Sequence, residues 1–406
     1  MSGLPRLVPS GRNAVVNAAD LRIRGGKVKI AVIGAGLSGL TLAAAIRQRS
    51  PGIEVALYER DDSQDSRPQG YAIGLRNSLA LDALASLGVR DDVVGQDAVI
   101  VTNFEITDER GKELLALPSE GDGPRTTYRV QRSHLKAVLL EAGDTPIHYG
   151  MRCTGFEQAD GGVLATFRDG GRVAADYLVA CDGVGSAIRQ QLIGDAKKYL
   201  GLTSIHAEAP VEIDHPMLAG GYFMMLGKNG CTFLCYRQPR GAYWSYTVHA
   251  AAEAQIAGQP KQALLERVSR ETAGWHELVR ALVKGAAADT VGVRGYYDKE
   301  PATRAINGRI ALIGDAAHPM SPFAGLGANM AIVDAVKIAE LFAGDINNPK
   351  RVAAVDQEIA KRGRKAVLES RSNAKRYHHT GAIARTNRNL AFQLANIVIG
   401  MSSKRK

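Results

Sequence analysis

Val28-Lys29-Ile30-Ala31-Val32-Ile33-Gly34-Ala35-Gly36-Leu37-Ser38-Gly39 is the stretch that decides the fold. Its first half is apolar and β-branched, as expected of a strand buried on both faces of a parallel sheet. It runs without a break into G-x-G-x-x-G and on into the helical stretch LTLAAAIRQR, which Ser50-Pro51-Gly52 stops. A second strand-like run, Ile53–Tyr58, ends on Glu59, 20 positions after Gly39. This is a βαβ opening built to hold a dinucleotide. Gly34 allows the tight turn, Gly36 lets backbone approach a pyrophosphate, and Gly39 lets helix and strand pack closely. The helix start offers unpaired N–H groups and a positive dipole end to the phosphates. Glu59 can accept from both hydroxyls of an adenosine ribose; its charge disfavours a 2′-phosphate there, although Arg60 is adjacent.

Outward from this unit, a loop Arg67-Pro68-Gln69-Gly70 precedes a helix over 77–87, and strands are expected at 98–107 and 112–117. Tyr128–Leu135 (YRVQRSHL) leads into a helix reaching about Glu141. Strands follow near 147–156, 162–167 and 172–180, the last delivering Cys181-Asp182-Gly183-Val184-Gly185-Ser186-Ala187-Ile188-Arg189. From about 200 to 300 the texture changes. Alternating, aromatic-rich runs (GGYFMML, CTFLCYR, AYWSYTVHA) between Gly and Asn turns predict an antiparallel sheet, interrupted by a helical stretch over 259–284. Arg309–Ile313 is then another buried strand. It leads to Gly314-Asp315-Ala316-Ala317-His318-Pro319, a loop to Asn329, and the helix MAIVDAVKIAELFA.

With 406 residues, 45% hydrophobic and 23% charged, the chain is long enough for two or three domain-sized units with a sizeable core. It has no uninterrupted apolar run of the roughly 18 residues that a membrane span needs. Residues 1–27 carry scattered Arg and no apolar block, which reads as a flexible arm rather than a secretory leader. Four irregularly spaced cysteines (Cys153, Cys181, Cys231, Cys235) suit reduced structural thiols of a cytoplasmic protein, with no metal site. The net charge of +10 is a C-terminal property: residues 350–406 hold 14 Lys and Arg against 3 Asp and Glu. No nucleic-acid-binding motif accompanies them, so a solvated helical face is the reading taken. The apolar run Leu390–Met401 is of helix-core length and is expected to pack on the body, with peripheral membrane contact as the lesser alternative.

Three of these segments resemble one family, the FAD-dependent aromatic hydroxylases, the single-component class A monooxygenases typified by p-hydroxybenzoate hydroxylase. Within it the chain is similar to salicylate-hydroxylase-like and tetracycline-modifying monooxygenases. Gly34-Ala35-Gly36-Leu37-Ser38-Gly39 with Glu59 matches the adenosine-binding motif, and Asp182-Gly183 with Ser186 and Arg189 matches D-G-x-x-S-x-x-R. Gly314-Asp315-Ala316-Ala317-His318 with Pro322, Gly325, Gly327, Asn329, Asp334 and Ala335 matches the flavin-contacting motif. The resemblance implies non-covalent FAD, with Asp315 accepting from a ribityl hydroxyl and Arg132 reaching the FAD phosphates or ribityl chain. It implies that Pro322-Phe323-Ala324-Gly325-Leu326-Gly327 brings backbone N–H groups against the flavin pyrimidine edge. Many members carry Gln where this chain has Leu326, which leaves those backbone contacts intact. Because the chain has one dinucleotide fingerprint only, NAD(P)H would visit transiently, with Asp182 and Gly183 helping. Hydroxylation with O2 would proceed through a C4a-hydroperoxyflavin, so the flavin carries the chemistry and no catalytic side chain is assigned. His318 is read as a packed structural histidine.

The expected architecture is α/β: a Rossmann-type FAD-binding domain from 28–75, 128–200 and 300–345, with an inserted antiparallel-sheet substrate domain from 76–127 and 201–299. C-terminal helices with a basic tail fill 346–406. Arg76, Tyr222, Met224, Tyr236, Trp244, Tyr246 and Phe323 are candidate walls for a small aromatic or polyketide-like substrate, with burial in the core the equal alternative for the sheet residues. Three rivals stand beside this reading. A flavin-dependent halogenase would need a W-x-W-x-I-P motif, which is absent. A reductase or dehydrogenase would incorporate no oxygen, and a non-catalytic flavin-binding partner protein would oxidise no NAD(P)H.

Overall fold

The computed structural model describes residues 27–403 except 65, 67–70, 120–122, 125, 160, 211–213 and 239–240. The expected arm (but for Lys27), the loop Arg67–Gly70 and the last three basic residues lie outside the described residues. The decisive stretch folds as read: strand Lys29–Ile33, helix Leu37–Arg49, strand Glu54–Tyr58. These strands sit centrally in a six-stranded sheet ordered Ile306–Asn307, Ile310–Leu312, Tyr177–Ala180, Lys29–Ile33, Glu54–Tyr58, Ile147–His148. All neighbours pair parallel except the edge hairpin Ile306–Asn307 with Ile310–Leu312.

Both faces of that sheet are covered, which is why its two central nucleotide-binding strands are apolar beyond their exposed first residues, Lys29 and Glu54. On one face lie the helices Leu37–Arg49, Arg132–Gly143 and Gly327–Ala343, whose Leu40, Ile46, Leu135, Leu139, Ile332 and Ile338 are buried with Ile30 and Val32. On the other lies a three-stranded antiparallel sheet, Cys153–Ala159, Gly162–Phe167 and Arg172–Ala175, packing Val163, Ala165 and Phe167 on Ala31 and Ile33. The short helices between Asn77 and Val94 also bury Leu81, Leu84 and Val93 in the first core. They pack with the nucleotide-binding layer, although 76–127 as a whole reads as part of the second unit.

A seven-stranded sheet forms the second layer, in the order Gly292–Asp298, Lys198–Ala209, Ala242–His249, Thr232–Arg237, Gly221–Leu226, Asn103–Asp108, Glu113–Pro118. It is antiparallel except where Gly221–Leu226 lies parallel to Asn103–Asp108. More than a hundred residues separate those two strands, so a crossover rather than a hairpin joins them and parallel pairing becomes accessible. Helices Lys261–Glu271 and Glu277–Lys284 cover one face, burying Leu264, Val268, Leu278 and Leu282 against Phe233 and Trp244. The other face looks toward the first domain.

Ala72–Arg76, Thr127–Gln131 and Val99–Val101 form a small antiparallel sheet between the two layers. At the C-terminus, helix Pro349–Tyr377 crosses the first domain, and Ala382–Ser403 lies against Glu113–Pro118. The expected packing of Leu390–Met401 holds for one stripe only. Phe392 is buried with Tyr377 and Leu115, whereas Leu390, Leu394, Ile397 and Val398 point outward, because a 3.6-residue period brings one face to the body. Among the described residues no helix is long and apolar enough to cross a membrane.

Candidate active site

The three glycines of the decisive stretch are held by three different constraints. Gly34 has φ 105°, its N–H donates to Tyr58 O at 2.8 Å, and a Cβ there would sit 2.5 Å from Cys181 O. A Cβ on Gly39 would sit 2.1 Å from Gly34 O. Gly36 differs: its backbone is extended (φ −80°, ψ −171°) and a Cβ would meet no protein atom within 4 Å. Nothing in the chain requires glycine there, and its neighbourhood is the wall of a cavity. Glu59 Oε2 accepts from Ala35 N at 2.8 Å and Oε1 from Asp61 N at 3.1 Å. Each oxygen therefore keeps a lone pair for a further donor.

The D-G-x-x-S-x-x-R segment is a brace. Ser186 Oγ caps helix Ala187–Ile193 by accepting from Arg189 N at 3.0 Å, and Asp182 Oδ2 accepts from Ala187 N at 3.0 Å. Asp182 Oδ1 is buried with no hydrogen-bond partner among the described residues, and burial pushes this carboxyl above its ordinary value. Arg189, 1% exposed, pairs with Asp195 at 2.5 Å and donates to the carbonyls of Glu300 (2.6 Å), Ala316 and Ala317. It thus ties this helix to the loop that carries Asp315.

Strand Ile310–Leu312 ends in that loop. Asp315 opens onto the cavity and its carboxylate has no hydrogen-bond partner among the described residues. Its place deep in the fold raises its pKa by desolvation, against the pull of His318, Arg132 and Arg294. His318 points away, into a buried pair with Asp334 (Nε2 to Oδ2, 2.5 Å), and Arg362 meets the other oxygen of Asp334 at 2.8 Å. It anchors the loop, as expected of a packed histidine. Asn329, fully buried, donates to the carbonyls of Gly74 (3.0 Å) and Gly325 (3.1 Å), and accepts from Arg76 N at 2.8 Å. Arg76 in turn donates to Ala324 O at 3.0 Å. The segment Pro322–Gly327 is therefore clamped to strand Ala72–Arg76 by the buried amide of Asn329 and by Arg76, which also lines the cavity.

One continuous cavity of about 1670 Å³ runs from the glycine loop to the inner face of the seven-stranded sheet. Ordinary small-ligand pockets hold roughly 300–1,000 Å³, so this one has room for a dinucleotide and a second molecule. Gly34, Gly36, Glu59, Arg60, Arg132, Asp182, Asp315, Pro322, Gly325 and Gly327 line it at one end, with Arg76, Phe323, Tyr222, Met224 and Tyr236 further along. Leu326 and Asn329 are not on the wall; they support it from behind.

Trp244 and Tyr246 are corrected. They are 0% and 2% exposed under the helices of the second core, on the face away from the cavity. Alternation along Ala242–His249 puts Tyr243, Ser245 and Thr247 on the cavity side instead. Register continues that face: Tyr222 pairs with Tyr236, and Tyr236 with Tyr243. Arg129, Arg294 and Tyr71 also line the wall without having been singled out. Burial pushes the Tyr71 hydroxyl up, but Arg294 and Arg132 outweigh it and hold it below the ordinary phenol value. The amphipathic helix stretch at 259–284 signals that one face of the sheet is covered, but it does not say which face, so no local pattern separates Tyr243 from Trp244.

Residues 27–370 match the family described as FAD binding domain. This chain belongs to that family. The match spans both layers and the braces around the cavity. The FAD-dependent urate hydroxylase of Klebsiella pneumoniae is 28% identical, covering 85% of this chain and 89% of its own. The 3-amino-4-hydroxybenzoate 2-monooxygenase of Streptomyces cremeus is 29% identical over 76% of each chain. The Klebsiella pneumoniae HpxO structure complexed with FAD and uric acid superposes with a TM-score of 0.80 at 25% identity, covering 94% of this chain and 97% of that one. The chain is an FAD-dependent monooxygenase. Its residues fit that cofactor on two observations: Gly36 leaves free the space a side chain would fill, and Asp315 presents an unbonded acceptor to the same cavity.

Proposed function

We propose that this protein hydroxylates a small, electron-rich aromatic or polyketide-like substrate with O2 and NAD(P)H, the substrate resting on the tyrosine-lined end of the cavity. The supporting observation is the continuity of that one cavity, which joins the three nucleotide-binding segments to the aromatic face of the second sheet. Gly34–Gly39 and the start of helix Leu37–Arg49 would hold the pyrophosphate of FAD, and Glu59 the adenosine ribose. Asp315 would accept from a ribityl hydroxyl, with Arg132 alongside. Bound there, FAD supplies electron uptake from NAD(P)H and oxygen transfer to the substrate.

The protein's own contributions are electrostatic and geometric. The start of the 17-residue helix Gly327–Ala343 sets its positive dipole end beside the cavity, where it would stabilise negative charge at a pyrimidine edge. The clamp of Asn329 and Arg76 fixes the loop at that end, and the walls exclude water and orient the acceptor carbon. In this reading the FAD domain is discontinuous (28–75, 128–200 and 300–345) and the substrate domain is inserted (76–127 and 201–299), although the helices between Asn77 and Val94 bury Leu81, Leu84 and Val93 in the first core. Four free cysteines, two of them buried, support the reducing cytoplasm as its compartment.

Purified protein should be yellow and release unmodified FAD on denaturation. Turnover of its substrate under 18O2 should place one labelled oxygen in the product. Unlabelled product with continued NAD(P)H oxidation would favour a reductase, and colourless protein that cannot be reconstituted with FAD would end the reading. Asp315→Ala should weaken FAD binding by about 1–3 kcal/mol, the cost of leaving a buried hydroxyl without its acceptor. Fluorescence titration of apoprotein with FAD measures it, and wild-type affinity in the variant would misplace the ribityl chain.

A further inference from the structure

Helix Ala382–Ser403 is fastened to the body along one side. Phe392 is buried with Tyr377 and Leu115, and Arg388, also buried, donates to Tyr377 O at 2.9 Å. Asn396 accepts from Ala116 N at 3.0 Å and donates to Glu113 Oε1 at 2.7 Å, which seats the helix on the edge strand Glu113–Pro118. With that side fixed, the opposite side is fixed too. Ile383 is 80% exposed, and Leu390, Leu394 and Ile397 are 54%, 55% and 58% exposed. Helical periodicity puts all four on one face, in a row about 21 Å long at 1.5 Å per residue. A single exposed leucine is ordinary, whereas a row of aliphatic side chains along one face marks a contact surface.

The charge around that row selects its partner. From Ser370 to Lys406 the sequence holds eight Lys and Arg and no Asp or Glu. Lys375 and Arg376 are exposed just before the helix, Arg385 stands in its first turn, and Lys404-Arg405-Lys406 follows it in sequence. A second copy of this chain fits poorly. Both ends of the row are basic, so parallel and antiparallel pairing alike would set cation against cation. Protein interfaces are commonly centred on aromatic anchors, and the four side chains of this row are all aliphatic. Aliphatic chains bounded by lysine and arginine suit a bilayer surface, where hydrocarbon takes up the first and anionic headgroups meet the second. The side bonded to Glu113–Pro118 stays on the body, so the helix lies on such a surface rather than inserting through it.

We propose that helix Ala382–Ser403 docks this protein on an anionic membrane surface, with Ile383, Leu390, Leu394 and Ile397 entering the acyl boundary and the flanking basic groups meeting lipid phosphates. The placement has a consequence for the cavity. Ile399 of the same helix lines it together with Leu117 and Pro118 of the edge strand, and packs with Met224 and Phe323. Docking therefore holds the tyrosine-lined end of the cavity beside the bilayer, where apolar molecules concentrate.

The test is flotation of FAD-loaded protein with vesicles of phosphatidylcholine alone and of phosphatidylcholine mixed with phosphatidylglycerol. Binding to the mixed vesicles should be at least tenfold tighter than to the neutral ones, the scale of about two or three basic groups near an anionic surface, and should weaken as salt is raised. Leu390→Gln combined with Leu394→Gln should lower it tenfold or more. FAD content and melting temperature should stay at wild-type levels in that variant, because both side chains already face water. Light scattering on the same samples measures the oligomeric state. No binding to the mixed vesicles, equal binding to both kinds, or undiminished binding by the double variant would overturn the proposal. So would a wild-type dimer that the double variant converts to monomer, which would assign the row to a second copy of the chain.

Discussion

Gly36→Val should fold and fail to hold FAD. The extended backbone at Gly36 suits a β-branched residue, and a Cβ there meets no protein atom within 4 Å, so the apoprotein loses nothing. The new side chain instead occupies the space into which the pyrophosphate must come to reach the helix start. Loss of that approach should weaken FAD binding by a hundredfold or more, about 2.8 kcal/mol at the conventional tenfold per 1.4 kcal/mol. Gly34→Ala should behave in the opposite way. Its φ of 105° and a Cβ 2.5 Å from Cys181 O put the damage in the fold itself. Circular dichroism melts of the two apoproteins and FAD titrations of whichever folds separate the cases. A Gly36→Val protein that binds FAD with wild-type affinity would mean that the phosphates lie elsewhere.

That contrast also shows which parts of the molecule were legible in the sequence. The glycine motif was readable because its reasons are local: a turn, a close approach and a tight packing contact lie within a few residues of one another. The same holds for Asp315, whose role depends on the strand that ends just before it. The braces were not readable at that level. Asn329 belongs to the flavin-contacting motif, yet its amide is engaged by the carbonyls of Gly74 and Gly325 and by Arg76 N, partners up to 255 residues away.

The substrate face failed for a different reason. Tyr222, Tyr236, Trp244 and Tyr246 look alike in a strand-rich sequence, and a one-residue change of parity exchanges the two faces of a sheet. Trp244 lies under the helices and Tyr243 lines the cavity because Lys261–Glu271 and Glu277–Lys284 bury one face only. Assigning the faces requires knowing which side those helices take. Arg129 was hidden by a boundary: Tyr128–Leu135 reads as the approach to a helix, whereas its first residues form a strand of the bridging sheet. The one parallel pairing among the described strands of the seven-stranded sheet, Gly221–Leu226 with Asn103–Asp108, likewise depends on a crossover that no local pattern announces.

The second large effect is expected far from the substrate, at Asp334. This carboxylate is fully buried and bonded on one oxygen to His318 and on the other to Arg362, and burial, which would raise its pKa, is outweighed by those two partners. For His318 burial alone would favour the neutral ring, but Asp334 foremost, with Asp315 adding to it, holds its pKa above the ordinary value. Asp334→Asn removes the anion and leaves a buried histidine facing an arginine, so it should destabilise the protein by about 3–5 kcal/mol near neutral pH. The pH dependence distinguishes this from a simple packing defect. A histidine whose folded pKa is raised contributes stability fully below about 6.5 and loses it as pH rises through the raised value. Asp334, depressed when folded, contributes above about 3.9 and loses it as pH falls through its lowered value. Wild-type stability should therefore decline above about pH 6.5 from this pair. In Asp334→Asn that decline should vanish, because the ring no longer gains by being charged. Urea unfolding followed across pH 5–9 checks both the size and the slope. An Asn variant that unfolds at the wild-type urea midpoint, or that keeps the wild-type slope above pH 6.5, would remove the ion pair from its place as the anchor of the Asp315 loop.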